Sequence, residues 1–342
     1  MYRVHILRLT LIGVALVVIM GLSIHLTKTK ALFLGTQYCK VMGFREKNGV
    51  RDIAWSPSMK FLASTSFQSI NIWDINTGKV SKNLTNDNFI QIDSLAWSPD
   101  EKLIATLGNG ITVLKSEDGE LIDIFKDGQN AANGGNVDWN FDGTKLAFIR
   151  VGENGHQAEI WDRKLGDIKK VGLRLININS VKWSTIENKI AISDGDRLQI
   201  WDVASDRLLT DFRSVWPTWA IAWSTNGQLL AGGNASYATN DSSIQIWDTT
   251  TNNPSKQLVK TLEGHSGGVV TVAWKPASKI LASSSQDTTI RIWDIETGLT
   301  LYTLTEHKYP IASVKWSPDG NFLASADDDG RIIIWKQTVN CQ

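Results

Sequence analysis

The chain reads as an all-β repeat fold of seven units, and three observations carry that reading. Tryptophan recurs at a nearly constant interval, short runs alternate apolar and polar residues, and Pro-Asp-Gly or Asp-Gly turns separate the runs. Self-similarity at a period of roughly 40–50 residues means propeller blades or solenoid units. No sustained helical periodicity interrupts residues 50–336.

The tryptophans set the interval. Of 15 in 342 residues, seven close similar apolar strands: Trp55, Trp97, Trp139, Trp183, Trp223, Trp274 and Trp316. Their steps are 42, 42, 44, 40, 51 and 42 residues. A second series follows the first by 18 to 24 residues, at Trp73, Trp161, Trp201, Trp247, Trp293 and Trp335. Unit two places Leu114 where the second tryptophan is expected, and only Trp216 and Trp219 stand outside the two series. The seventh unit shows the strand pattern plainly. Ile311–Trp316, Asn321–Ser325 and Arg331–Trp335 read as strands, separated by Ser317-Pro-Asp-Gly320 and Asp327-Asp-Asp-Gly330.

Composition narrows the function classes. Lys and Arg total 35, as do Asp and Glu, so the net charge is zero and no nucleic-acid partner is expected. Charged residues make up 20% and apolar ones 42%, which suits a folded globule rather than a disordered chain. Two cysteines exclude a disulfide-rich scaffold and any all-cysteine zinc site.

The chain resembles the WD40-repeat family. Five units end in Trp-Asp, at Trp73-Asp74, Trp161-Asp162, Trp201-Asp202, Trp247-Asp248 and Trp293-Asp294. Unit six carries the fuller pattern, with Gly264-His265, Trp274, Leu281-Ala-Ser-Ser-Ser285, Asp287 and Trp293. The resemblance covers about 290 of the 342 residues. It implies a seven-bladed β-propeller with four-stranded blades. It also implies a structural tetrad of His, Ser, Asp and Trp within a blade: His265, Ser283 or Ser285, Asp287 and Trp293 in unit six, and His307, Ser325, Asp329 and Trp335 in unit seven. The other units lack the Gly-His pair, so the resemblance carries no tetrad there.

Ring closure follows from that architecture. A closed propeller has no free sheet edge between its ends, so the last blade needs a strand from the other end of the chain. Aligning Trp55 with Trp316 lays Lys40–Arg45 on Leu301–Glu306, the outer strand before unit seven. The expectation is a propeller over residues 31–342, closed by residues of about 38–46, after an N-terminal segment of residues 1–30. In the same frame Cys39 and Cys341 come to adjacent places at the seam. A disulfide between them, conditional on an oxidising compartment, contributes ~3–5 kcal/mol in the chain-entropy picture. The other reading is two unrelated thiols.

Leu9–Leu26 is 18 residues without a formal charge, reaching about 27 Å as a helix. It is read as a single-pass membrane anchor; a cleaved signal peptide and a soluble buried helix are the alternatives. Arg3 and Arg8 precede it while Lys28 and Lys30 follow it, so flanking charge hardly decides orientation. The cysteine pair favours an extracytoplasmic propeller. In the family's blade order, the linker of residues 27–37 enters on the face of the a–b and c–d loops. The face of the d–a and b–c loops then looks away from the membrane and is the expected working surface.

On that face unit five inserts Gly232–Asp241 between its second and third strands, after the segment Ser214-Val-Trp-Pro-Thr-Trp219. Unit three has a long polar connection from Lys126 to Asn136, and a b–c loop with Arg150, Glu153 and His156. Counting four back from each first-series tryptophan gives Arg51, Asp93, Gly135, Asn179, Trp219, Val270 and Ala312, a ring in which Trp219 is the single aromatic. Tryptophan, tyrosine and arginine dominate binding hot spots. A protein or peptide contact is therefore expected around Trp216, Trp219 and Tyr237, with Arg51 nearby. The competing reading is local packing of Trp216 on Pro217.

No catalytic constellation is visible. The chain lacks a Gly-x-Ser-x-Gly elbow, a phosphate-binding glycine loop and a His-Glu-x-x-His pair. Of five histidines, His5 and His25 lie at the apolar segment, His265 and His307 fit tetrads, and His156 is left alone. No cofactor or metal is expected; the Asp327–Gly330 run lacks the spacing of a calcium loop. The expectation is a non-enzymatic, membrane-anchored interaction scaffold. The alternatives are a propeller hydrolase or lyase with its site in the central channel, and a regulatory scaffold facing the cytoplasm. Converging carboxylates with His or Arg at the channel mouth would favour the enzyme.

Overall fold

The structure is a computed structural model that describes residues 36–341, apart from 88, 90, 109, 126–134, 153–154, 173–177, 215–216, 235–241 and 252–256. The apolar segment Leu9–Leu26 lies outside the described residues. Among the described residues, no helix is long and apolar enough to cross a membrane.

Among the described residues, twenty-eight strands form seven four-stranded sheets, a seven-bladed β-propeller. The first strand, β1 (Gln37–Arg45), belongs to the last blade. Blade 1 is β2 (Ile53–Trp55), β3 (Phe61–Thr65), β4 (Ser69–Asp74) and β5 (Lys79–Thr85). Blade 2 is β6 (Ile92–Trp97), β7 (Leu103–Gly108), β8 (Gly110–Lys115) and β9 (Leu121–Phe125). Blade 3 is β10 (Val137–Trp139), β11 (Lys145–Gly152), β12 (Gly155–Asp162) and β13 (Ile168–Val171). Blade 4 is β14 (Ile178–Trp183), β15 (Lys189–Asp194), β16 (Arg197–Asp202) and β17 (Arg207–Arg213). Blade 5 is β18 (Thr218–Trp223), β19 (Leu229–Asn234), β20 (Ile244–Asp248) and β21 (Leu258–Leu262). Blade 6 is β22 (Val269–Trp274), β23 (Ile280–Ser285), β24 (Ile290–Asp294) and β25 (Leu299–Leu304). Blade 7 is β26 (Ile311–Trp316), β27 (Phe322–Asp327) and β28 (Arg331–Thr338), in the order β1-β28-β27-β26.

Each strand type has its own reason. The second and third strands of a blade are covered on both faces by the adjoining blades, so their sequences are nearly continuous apolar runs, as in Arg331-Ile-Ile-Ile-Trp335. The outer strands alternate or expose most positions, as in β5 and β17. Between the first two strands, the residue after the first-series tryptophan fixes the turn. Ser98, Asn140, Ser224 and Ser317 accept the amide five residues on, from Leu103, Lys145, Leu229 and Phe322, at 2.9, 2.8, 2.9 and 3.0 Å.

The two tryptophan series do different work. Members of the first join blades: the indole N–H of Trp97, Trp139, Trp223 and Trp274 donates to the carbonyl of Ala54, Ala96, Lys182 and Ala222 in the preceding blade, at 3.2, 3.2, 3.2 and 3.0 Å. Members of the second join strands within a blade: Trp73, Trp293 and Trp335 each donate to a buried serine at 2.8 Å. The core is accordingly a series of clusters, each shared by two successive blades. In blade 2, Leu114 fills its position as a fully buried apolar residue without the polar handle.

Two compact units divide the chain, residues 40–336 and residues 1–39 together with 337–342. Within the larger unit, Phe44 stacks on Trp73 of blade 1 with ring centroids 4.8 Å apart. Both share one core cluster with Ala324, Ala326, Ile332 and Ile334 of blade 7. Within the smaller unit, Cys39 and Cys341 form a disulfide across a sequence separation of 302.

Candidate interaction site

The histidine network of unit six is complete. His265 meets Asp287 through Nδ1 and Ser283 through Nε2, both at 2.8 Å, and the same serine oxygen accepts the Trp293 indole. Ser283 takes the role, while Ser285 bonds the Gly267 carbonyl at 2.7 Å. Burial alone would raise the Asp287 carboxyl, but hydrogen bonds from His265 and Thr289, the His265 charge and the Ser266 amide together hold it well below the usual carboxylate range.

Unit seven corrects one residue. His307 bonds Ser325 and Asp327, both at 2.7 Å, and the acid is Asp327 rather than Asp329. The second strands of the two units end at equivalent positions, but the last residue is Ser285 in unit six and Asp327 in unit seven, so the strand itself carries the acid. The other Asp327 oxygen closes the turn, accepting the amides of Asp329 and Arg331 at 3.2 and 2.9 Å. Asp329 instead turns outward to Arg45 at 2.6 Å.

Blade 1 contains a network that the Gly-His pattern does not reveal. Buried Glu46 takes the place of histidine, accepting from Ser64 at 2.5 Å and from Asn71 at 2.7 Å, while Ser64 accepts the Trp73 indole. The step from Glu46 to Ser64 is 18 residues, the same as from His265 to Ser283 and from His307 to Ser325. That spacing is the signal that could have found it. All three networks are buried and internally bonded, which suits them to holding loops and strands rather than to chemistry.

The ring counted four back from each tryptophan has a structural basis. In five blades a register shift lies between the residues on either side of it: Asp93, Asn179, Trp219, Val270 and Ala312 are the extra residues of β-bulges. A bulged residue leaves the ladder and its side chain is re-aimed. Among these five only Trp219 is exposed, at 45%. Arg51 is also exposed but stands in blade 1, whose inner strand β2 neighbours β6 and β26, not β18. Arg51 is therefore not beside Trp219, because an equal count from tryptophan fixes height on the ring and not position around it. Trp216 and Tyr237 lie outside the described residues. Arg150 and His156 are not in a loop: they belong to β11 and β12, where Arg150 pairs with Glu159 and His156 bonds the Ile178 carbonyl at 2.8 Å.

The aromatic surface is unevenly distributed. Among the described residues four aromatic side chains are exposed: Phe67, Phe141, Trp219 and Tyr309. Phe67 lies in a b–c loop, Tyr309 in a d–a connection and Trp219 at the start of an inner strand, so three share one face. Phe141 lies in an a–b turn of the opposite face. Near the axis, the buried Asp52 carboxylate is fully engaged. One oxygen accepts from Ser313 of blade 7 at 2.8 Å and the Ile53 amide at 2.9 Å, the other from Ser94 and the Leu95 amide of blade 2 at 3.0 and 3.3 Å.

Comparison with known proteins agrees with this architecture. The family model for the first β-propeller of IFT140 matches residues 205–341, and the WD domain, G-beta repeat model matches residues 38–74. A cell division cycle 20.1 protein, cofactor of APC complex, from Arabidopsis thaliana is 24% identical over 265 residues, 73% of this chain and 55% of that protein. Ribosome biogenesis protein WDR12 homologs from Dictyostelium discoideum and Nematostella vectensis are 27% and 33% identical over 37% of this chain, spanning 27% and 30% of their own lengths. The chain thus spans between about a quarter and a little over half of these relatives. With seven tryptophan-paced blades, the histidine–serine–tryptophan networks and the repeat match, this chain belongs to the WD40-repeat family.

Proposed function

We propose that this protein is a non-enzymatic interaction scaffold that binds a protein or peptide on the face of its d–a and b–c loops. The observation that carries the reading is the placement of Phe67, Trp219 and Tyr309 on that face, against Phe141 alone on the other. Exposed aromatic residues supply large contact area with little entropy to lose, which is why they anchor interfaces. The saturation of Asp52 by four donors supports the non-enzymatic part, since a carboxylate so engaged has no lone pair directed at a substrate. The propeller is held at a membrane by Leu9–Leu26 and lies on its extracytoplasmic side. The Cys39–Cys341 bond supports that placement, because disulfides persist in oxidising compartments.

A photo-crosslinking amino acid at each aromatic position, in cells, tests the reading. Protein adducts are expected at Phe67, Trp219 and Tyr309 and not at Phe141. Adducts confined to Phe141 contradict it.

A further inference from the structure

Blades 7, 1 and 2 together carry a second surface on the same face, away from Trp219. A cavity of about 200 Å³ is lined there by Val50, Arg51, Phe67, Ile92 and Asp328, among others. Its floor is apolar, because Val50 and Ile92 are each only 1% exposed, and the exposed Phe67 ring stands at its rim. Tyr309, also exposed, adjoins it: the Asp328 amide donates to the carbonyl of neighbouring Pro310 at 3.1 Å. Cofactor sites generally enclose about 300–1,000 Å³. This cavity has room for one or two side chains.

The charge around it carries an excess of cations. Exposed Lys47, Arg51 and Lys308 make no ion pair or side-chain hydrogen bond among the described residues. The neighbouring acids are already taken, Asp329 by Arg45 and Glu306 by Arg331. Asp328 lines the cavity, and Asp93, next to Ile92, accepts from the Gln91 side-chain amide at 2.8 Å, so two carboxylates stand against the three cations. Burial of the Asp328 carboxyl pushes its pKa up, with Arg51 opposing and Asp327 adding to the rise.

We propose that this pocket docks an acidic peptide segment of a protein partner. One aromatic or branched aliphatic side chain of the peptide seats on Val50 and Ile92 beside Phe67, and a flanking carboxylate pairs with Arg51. Lys47 and Lys308 attract further acids at the rim, which chiefly speeds association. The inference rests on the loop-face reading and names the chemistry of the partner.

The test is selection of a phage-displayed library of random dodecapeptides on the full chain, followed by binding of the selected peptides to variants. Arg51 and Phe67 are exposed, so Arg51→Glu and Phe67→Ser should keep the wild-type melting temperature. Acidic peptides containing an aromatic or branched residue are expected, losing about tenfold or more in affinity on Arg51→Glu and on Phe67→Ser, and little on Trp219→Ala. Enrichment of basic or uncharged peptides, or no enrichment, overturns the proposal. Peptides lost on Trp219→Ala but not on Arg51→Glu overturn it while leaving the loop-face reading intact. Peptides lost only on Phe141→Ser contradict both.

Discussion

The indole N–H of Trp55 in blade 1 donates to the carbonyl of Lys315 in blade 7 at 3.1 Å, across 260 positions of sequence. It is the same bond that joins four other pairs of successive blades, here made between the first blade and the last. The ring is thus closed by the interaction that builds it, and Asp52 adds a second link by accepting from Ser313 and Ser94 on either side.

Trp55→Phe keeps the ring and removes the donor, leaving a buried carbonyl without its partner. A loss of ~1–3 kcal/mol is expected in denaturant unfolding. An unchanged midpoint would mean that packing alone holds the seam.

Glu46 should matter in the same way for blade 1. Glu46→Ala strands the buried Ser64 hydroxyl and removes a partner of the half-buried Asn71 amide, and about 2 kcal/mol of stability should go with it. Glu46→Gln retains an acceptor and should cost less. Equal losses would argue that the carboxylate acts only as bulk.

The acid limb of stability should trace to Asp287 and Asp327. Both carboxyls are held below their ordinary value in the folded chain, although burial by itself pushes each the other way. Their ionised form therefore adds stability that is present above the unfolded pKa of about 3.9 and lost as pH falls through the lower folded values. Asp287→Asn and Asp327→Asn should be less stable at pH 7 and should show a flatter decline below about pH 4. A decline as steep as that of the wild type would place the effect elsewhere.

Much of this was legible in the sequence because the first-series tryptophans and the turns after them repeat together. Seven blades followed from that spacing and from the family resemblance. The networks were less legible. Glu46 does not look like a histidine, and only its step to Ser64 betrays the shared role. The count from unit six points to Asp329 in unit seven because it carries the acid over at a fixed offset, whereas unit seven has a second acid, Asp327, where unit six has Ser285, and the histidine takes the nearer one. Arg51 and Trp219 share a place in the count but not a sector of the ring, and no periodicity reports that angle.

Trp219 should be dispensable for folding. It is a bulged, half-exposed residue, so Trp219→Ala should change stability by no more than about 0.5 kcal/mol. Large destabilisation on thermal unfolding would favour a packing role over a binding one.

The most direct test of ring closure and of compartment together is non-reducing peptide mapping of protein taken from its native compartment. One linked pair of peptides carrying Cys39 and Cys341 is expected, with a stability loss of roughly 3–5 kcal/mol on reduction. Two free thiols would contradict the covalent closure and remove the support for an extracytoplasmic propeller.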